Sequence, residues 1–349
     1  MRFFNNLVSA PSFLYALAAA QAPSKSGNPG VVGTGTYPRA TKLADGSLLG
    51  IYTNFAGGNN TLITAKSTNG GASWTAIGQV DTGVSTAKDI DNGFLHQLSS
   101  GDHKGRILAA FRNHDRKAGG GYSFYRITIC SSDDNGKTWN FLQTPASDPG
   151  GVTGNWEPFI QDALDGSLQL YYSRETATDD QDSLLRRSTN GGADWSSAQV
   201  ISGTGVTARD GMLGVTRISA NSQSKLAIFE SGVNGRFTLH TVRSDNDGTD
   251  WSSTRSLVYG SAGHNAGAPQ IIRVGTKLVA SFGTDEDGGV WPEGSIKLLV
   301  STDQGTSWNY KTTVHGVPGY WAGLTELDDS SFLVLYESGG ISYAQKMVF

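Results

Sequence analysis

Cysteine is almost absent from this chain. Cys130 stands alone among 349 residues, so no internal disulfide and no paired-cysteine metal site can form. Charge is also sparse. Asp, Glu, Lys and Arg make up 17 % of the residues and the formal net charge is −4, which gives no basic footprint for nucleic acid. Six histidines are scattered without a His-Glu-x-x-His spacing, and no Gly-x-Ser-x-Gly elbow is present. Neither a zinc-hydrolase nor an α/β-hydrolase reading has support, and no metal or cofactor is expected. Beyond the first 22 residues no apolar run is long enough to span a bilayer, so no membrane partner is expected either.

Glycine is abundant, with 46 residues, and part of it recurs in register. An eight-residue motif, Ser-x-Asp-x-Gly-x-Thr-Trp, is complete at Ser132, Asp134, Gly136, Thr138 and Trp139. Relaxed copies occur at Ser67/Asn69/Gly71/Trp74, Ser188/Asn190/Gly192/Trp195, Ser244/Asn246/Gly248/Trp251 and Ser301/Asp303/Gly305/Trp308. Such regular self-similarity marks a repeat architecture. The chemistry is that of a hairpin turn: Asp or Asn accepts from nearby backbone N–H groups, Gly supplies a positive φ, and Trp packs the hairpin down.

Around each copy the hydrophobic pattern reads as four strands. In the first repeat these are Arg39–Leu43, Leu48–Asn54, Leu62–Ser67 and Thr75–Val80. Inner strands follow near Asn92, Glu157, Asp210, Pro269 and Tyr320. Four-stranded units repeated radially make an all-β, six-bladed β-propeller with antiparallel blades. Only about three strands remain after Tyr320, so Val31–Thr36 is expected to complete the last blade and leave no open edge. One domain over residues 23–349 follows. Residues 1–22 read as a signal peptide: Arg2 provides the positive region, Val8–Ala20 the apolar one and Ala20-Gln21-Ala22 the cleavage site. The expected location is therefore extracellular, the expected state a monomer, and Asn59-Asn60-Thr61 is a glycosylation sequon. Cys130, inside the strand Tyr125–Ser131, reads as a buried structural thiol.

Alternating strand direction puts all five turn motifs on one face, so chemistry is expected on the other, around the axis. The strand starts there present Tyr37-Pro38-Arg39, Asn92-Gly93-Phe94, Glu157-Pro158-Phe159, Asp210-Gly211-Met212, Ala268-Pro269-Gln270 and Gly319-Tyr320-Trp321. Glu157 lies between Trp156 and Pro158-Phe159, an apolar setting that should raise its pKa. Glu230 ends the apolar run Leu226–Phe229 and should emerge beside the axis. Two carboxyls across a sugar-sized gap suit glycosidic cleavage, but pairing with Arg39, Arg174 or Arg209 would make them structural instead. Asp210, Glu175 and Glu337 compete for the same role. Trp156, Trp291 and Trp321 are the tryptophans outside the motifs, and all fall on this face, where rings stack on sugars or pack between blades. His114-Asp115 reads as a solvated loop.

The repeated motif resembles the Asp box of sialidase-like propellers, which implies fold rather than chemistry. The sialidase pattern fits incompletely: Tyr37-Pro38-Arg39-Ala40 lacks the Ile-Pro that follows the Arg, and Arg39, Arg236 and Arg273 do not make a convincing triad. The chain is more similar to the fungal exo-1,5-α-L-arabinanases of glycoside hydrolase family 93. The likeness rests on Asn155-Trp156-Glu157-Pro158-Phe159 and Phe229-Glu230-Ser231-Gly232. That resemblance implies a retaining enzyme releasing arabinobiose from the non-reducing end of linear arabinan, so the partner would be a carbohydrate polymer, the arabinan side chains of pectin. Glu157 would be acid/base and Glu230 nucleophile, with Tyr336 polarising Glu230. Arg39, Asn92, Trp156, Asp210, Trp291, Tyr320 and Trp321 would line the substrate site, and the loops Lys117–Ser123 and Asp285–Gly294 would wall it.

Overall fold

The structure, a computed structural model, describes residues 22–151, 154–233 and 235–349. All but the last residue of the expected signal peptide lies outside the described residues. Every element among them is a β-strand, and no helix there is long and apolar enough to cross a membrane.

Two short strands, β1 (Ser24–Lys25) and β2 (Gly30–Thr34), precede the first sheet. That sheet comprises β3 (Thr36–Lys42), β4 (Leu48–Ala56), β5 (Asn59–Ser67) and β6 (Thr75–Val84). The next has β7 (Lys88–Gln97), β8 (Ile107–Arg116), β9 (Tyr122–Ser132) and β10 (Asn140–Pro149). A third has β11 (Asn155–Asp162), β12 (Leu168–Ala177), β13 (Asp180–Ser188) and β14 (Gln199–Ser202). The fourth has β15 (Asp210–Arg217), β16 (Lys225–Ser231), β17 (Thr238–Ser244) and β18 (Ser256–Tyr259). Each is an antiparallel meander of four neighbouring strands.

The remaining strands join into one eight-stranded sheet. These are β19 (Ala266–Val274), β20 (Lys277–Thr284), β21 (Gly294–Ser301), β22 (Asn309–Asp328), β23 (Ser331–Ser338) and β24 (Ile341–Val348), joined by β1 and β2. The 20-residue β22 causes the merger, since its first part pairs with β21 and its second part, from Tyr320, with β23. The expected closure by Val31–Thr36 is present. β2 pairs antiparallel with β24, Gly30 opposite Ala344 and Thr34 opposite Ile341. The inner strands β3, β7, β11, β15, β19 and β22 contact one another in that order, and β22 contacts β3, which completes a ring.

The core lies between sheets. On β4, Leu49 and Ile51 pack toward Ile90, Ile107 and Phe111, while Leu48 and Tyr52 pack the other way, against Leu333 and Leu335. A strand buried on both faces explains an apolar run where a half-exposed strand would alternate. Full burial of a side chain such as Phe111 contributes about 1.5–3 kcal/mol.

The repeated motifs are latches between sheets. In each, the Ser Oγ accepts from the Gly N–H, as in Gly136 to Ser132 at 2.9 Å. Four of the five Trp indoles donate to the same Gly carbonyl, as in Trp139 to Gly136 at 3.1 Å; Trp308 Nε1 has no such partner. Gly136 has φ +85, and a methyl there would meet the Leu49 side chain of the preceding sheet at 2.6 Å. Thr64 of that sheet donates to Gly136 O at 2.8 Å. Thus the motif Trp, read from sequence as packing its own hairpin, packs at the junction with the sheet before it.

Candidate active site

Every inner strand carries a β-bulge near its start, where the pairing register with its neighbour shifts. One residue at each bulge takes a left-handed backbone: Tyr37, Asn92, Glu157, Met212, Ala268 and Trp321, with φ between 46° and 58°. Non-glycine residues rarely accept that conformation, and bulges beside active sites serve to re-aim side chains. Here the six bulges form one level of the ring. Tyr37, Met212, Ala268 and Trp321 pack together as an apolar cluster, whereas Asn92 and Glu157 are its polar members.

Glu157 Oε2 and Asn92 Oδ1 are buried oxygens with no protein partner among the described residues. Burial pushes the Glu157 carboxyl up to about 8, and the charge of Glu230 adds to the effect, against Arg112 and Arg209. Glu230 is 7 % exposed and lies next to the last residue of β16. Its Oε2 accepts from the Ala268 N–H at 2.7 Å, so the left-handed bulge of β19 supplies the donor. Burial raises Glu230 to about 7, opposed by that hydrogen bond and by Arg209. Neither carboxylate is in a salt bridge among the described residues. Arg209 pairs instead with Glu175 at 2.6 Å. Arg39 donates to Pro38 O at 2.9 Å and Trp321 O at 2.8 Å.

Trp291 stands beside Glu230. A methyl on Gly267 would collide with the Glu230 carboxylate and meet the Trp291 ring at 2.8 Å, so glycine is needed for their approach. Trp291 also neighbours Phe237, ring centroids 6.0 Å apart. Tyr320 donates to Glu293 at 2.8 Å, which ties the Asp285–Gly294 loop to β22. Trp156 packs edge-on against His114 at 4.8 Å and under the Arg112 guanidinium at 5.0 Å. Behind Glu157 lies a charged network that sequence reading missed. Arg112 bonds Asp89 at 3.1 Å and Asp91 at 3.2 Å, Thr53 donates to Asp91 at 2.6 Å, and Tyr122, where the Lys117–Ser123 segment enters β9, donates to Asp89 at 2.5 Å. The available signal was Asp89-Ile90-Asp91, two carboxylates on one face of an inner strand. Trp156 Nε1, Asn113 Oδ1 and Asn155 Oδ1 nearby are also buried without protein partners among the described residues. Such a mixture of unpaired donors and acceptors suits a hydroxyl-rich ligand.

Three expectations need correction. Asp210 is fully buried and held by Arg255 and Ser202. The bulge in β15 places Met212, two residues later, at the level of Glu157, so Asp210 does not line the site. Tyr336 does not reach Glu230 by a hydrogen bond. Its ring packs in the core between β22 and β24, stacked on His315 at 4.6 Å and Tyr343 at 5.5 Å. Burial, with the neighbouring Tyr343, raises its hydroxyl to about 12. His114 is a fully buried β8 residue rather than part of a solvated loop. Its Nε2 bonds Asn155 O at 2.8 Å, and burial with the Arg112 charge lowers its pKa to about 3. Of the competing carboxylates, Glu175 is taken by Arg209 and Glu337 accepts from Gly340 N–H at 2.7 Å. Arg273 donates to Gly275 O at the far end of β19, and Arg236 is exposed, so Arg39, Arg236 and Arg273 do not form a triad.

Past the bulges, the later halves of the inner strands line an axial channel of about 490 Å³ that includes Phe94 and Phe159 and none of the carboxylate-site residues.

No protein-family model matches the sequence, and no curated protein matches it. Solved structures do. A glycoside hydrolase family 93 α-L-arabinofuranosidase of Fusarium graminearum, in complex with arabinobiose, matches with TM-score 0.74 and 18 % identity, over 93 % of this chain and 98 % of that one. A Penicillium chrysogenum α-L-arabinanase, also complexed with arabinobiose, gives 0.73 and 20 % over the same shares. A Hadza microbial sialidase gives 0.65 and 15 %, over 89 % of this chain and 65 % of that one. At these identities the likeness establishes the fold, a sialidase-like β-propeller, and the resemblance drawn from the Asn155–Phe159 and Phe229–Gly232 motifs holds at that level.

Proposed function

We propose that this chain is a secreted, retaining glycoside hydrolase of the family 93 type that acts from the non-reducing end of α-1,5-L-arabinan and releases arabinobiose. Its catalytic unit would be a single six-bladed propeller over residues 23–349, with β22 passing from the outer strand of the fifth blade to the inner strand of the sixth. Six repeated bulges, one per inner strand, support that count. Residues 1–22 would direct secretion, and the mature protein would act as a monomer.

The observation that carries the reading is the pair Glu157 and Glu230: two carboxyls, on β11 and β16, free of salt bridges among the described residues and both with raised proton affinity. Near neutral pH, Glu230 ionises first and its charge helps Glu157 keep its proton, the division of labour a retaining mechanism needs. Glu157 would donate its proton to the glycosidic oxygen as Glu230 forms a bond to the anomeric carbon and the leaving sugar departs. A water molecule, losing its proton to Glu157, would then attack the same carbon and free the Glu230 carboxylate. The Ala268 N–H would hold Glu230, the part first assigned to Tyr336. Trp291, Trp156 and Trp321, with Tyr320 and Asn92, would contact the sugars. The arabinobiose bound in two solved neighbours supports the choice of substrate.

The test is product analysis on linear α-1,5-arabinan beside a sialyl glycoside. Arabinobiose as the sole early product is expected. Release of sialic acid, or no cleavage of either substrate, would overturn the assignment.

A further inference from the structure

Two carboxyls in one site need a device that decides which holds the proton, and Arg209 is placed for that task. Arg209 directly precedes β15, and its carbonyl accepts from the Gly232 N–H at 2.9 Å, just past Glu230 on the neighbouring chain segment. Its guanidinium is bonded to Glu175 at 2.6 Å. Glu175 lies at the end of β12, where its N–H donates to Gly154 O at 2.8 Å, three residues ahead of Glu157. The ion pair therefore links the segment of Glu230 to the segment of Glu157 across the mouth. The guanidinium remains 35 % exposed and Glu175 15 %, so the pair is not a core strut.

We infer that Arg209 and Glu175 form an electrostatic positioning pair that keeps Glu230 ionised while Glu157 retains its proton. This rests on the catalytic reading above only in giving the proton distribution a purpose. The charges facing the two carboxyls support the division. Among the described residues Arg209 is the cation that faces Glu230, while Glu157 faces Arg209 and Arg112 as cations and Glu230 and Glu175 as anions. Arg39 and Tyr37 also lie within electrostatic reach of Glu157. Arg209 thus favours the ionised form of both carboxyls, and Glu175 returns Glu157 alone toward the protonated form. The pair widens the gap between them.

The experiment uses the full chain and two readouts. One is the pH profile of kcat/KM on linear α-1,5-arabinan. The other is infrared titration of 13C-labelled glutamate carboxylates, with the two bands assigned through Glu157→Gln and Glu230→Gln. Arg209→Gln should move the midpoints of both carboxyls up by about one pH unit, the size of effect an adjacent opposite charge exerts. Glu175→Gln should move Glu157 down, and Arg209→Lys should leave both midpoints close to the wild type. Unmoved midpoints in Arg209→Gln and Glu175→Gln, or shifts of the same sign in both, would overturn the inference, even where activity drops. The infrared arm does not depend on turnover. Opposite shifts in a protein that cleaves no arabinan would therefore leave the positioning pair standing and remove the catalytic reading alone.

Discussion

Replacing Glu157 by Gln should stabilise the protein at alkaline pH while disabling it. The ordinary glutamate pKa of 4.5 describes the unfolded chain, and the folded value is about 8. A group whose folded pKa is raised contributes stability that is fully present below about 4.5 and is lost as pH rises toward 8, because the folded state binds the proton more tightly. At about 1.36 kcal/mol for each pH unit, the ionised carboxylate costs the fold about 5 kcal/mol, an upper figure because the side chain borders solvent. Gln keeps the shape and cannot ionise. Thermal unfolding followed by calorimetry from pH 5 to pH 9 should give nearly coincident midpoints at the acid end and a gap that opens with pH. For a protein of this size about 2 °C accompanies each kcal/mol, so the variant should melt roughly 10 °C higher at pH 9. Parallel curves, or a variant less stable than wild type at pH 9, would show that Glu157 is not a buried carboxyl held protonated, and the argument for its role as acid would go with it.

Other expectations follow from the same geometry. The pH profile of kcat/KM should be bell-shaped with limbs near 7 and 8: activity falls below 7 as Glu230 takes a proton and above 8 as Glu157 loses one. Glu230→Gln should abolish turnover with an unchanged far-ultraviolet spectrum, and Glu157→Gln should lower kcat by about 10²–10⁴ on arabinan, less on substrates with an activated aryl leaving group. Arg255→Met strands the buried Asp210 carboxylate and should cost about 3–5 kcal/mol in denaturant unfolding, while a KM change would return Asp210 to the site. Gly136→Ala forces a methyl into left-handed backbone and against Leu49. It should cost about 1–3 kcal/mol, measured by thermal melting, with kcat untouched.

The sequence revealed the fold more readily than the detail of the site, for a physical reason. A turn motif restricts residue type at each of its positions, so five copies stayed recognisable through substitution, and the apolar runs between them gave the strands of the first sheet within a few residues of β3 to β6, though not the continuity of β22. The site depends on bulges, and their left-handed positions hold Tyr37, Asn92, Glu157, Met212, Ala268 and Trp321. These residues share no chemistry, so nothing in the sequence marks the register. The strand starts at Asp210 and Gly319 therefore fall two residues short of the bulge level, which Met212 and Trp321 occupy. Glu157 and Glu230 could be picked out because carboxylates at the ends of apolar runs are rare. The Ala268 N–H could not, being backbone, and Tyr336 was read on the site although its strand turns it into the core. His114 looked like a loop residue because only the tertiary fold covers β8.

The pairing of β2 with β24 has a consequence in time. Gly30 meets Ala344, a partner about 300 residues later, and at about 5–20 residues per second a ribosome takes about 15–60 s to make the interval. Throughout, Val32, Leu48 and Tyr52 wait for Leu333, Leu335 and Ala344, the residues that cover them. The nascent protein thus carries an unfinished apolar seam until its final strand emerges, and its folding should depend on what shields that seam during synthesis.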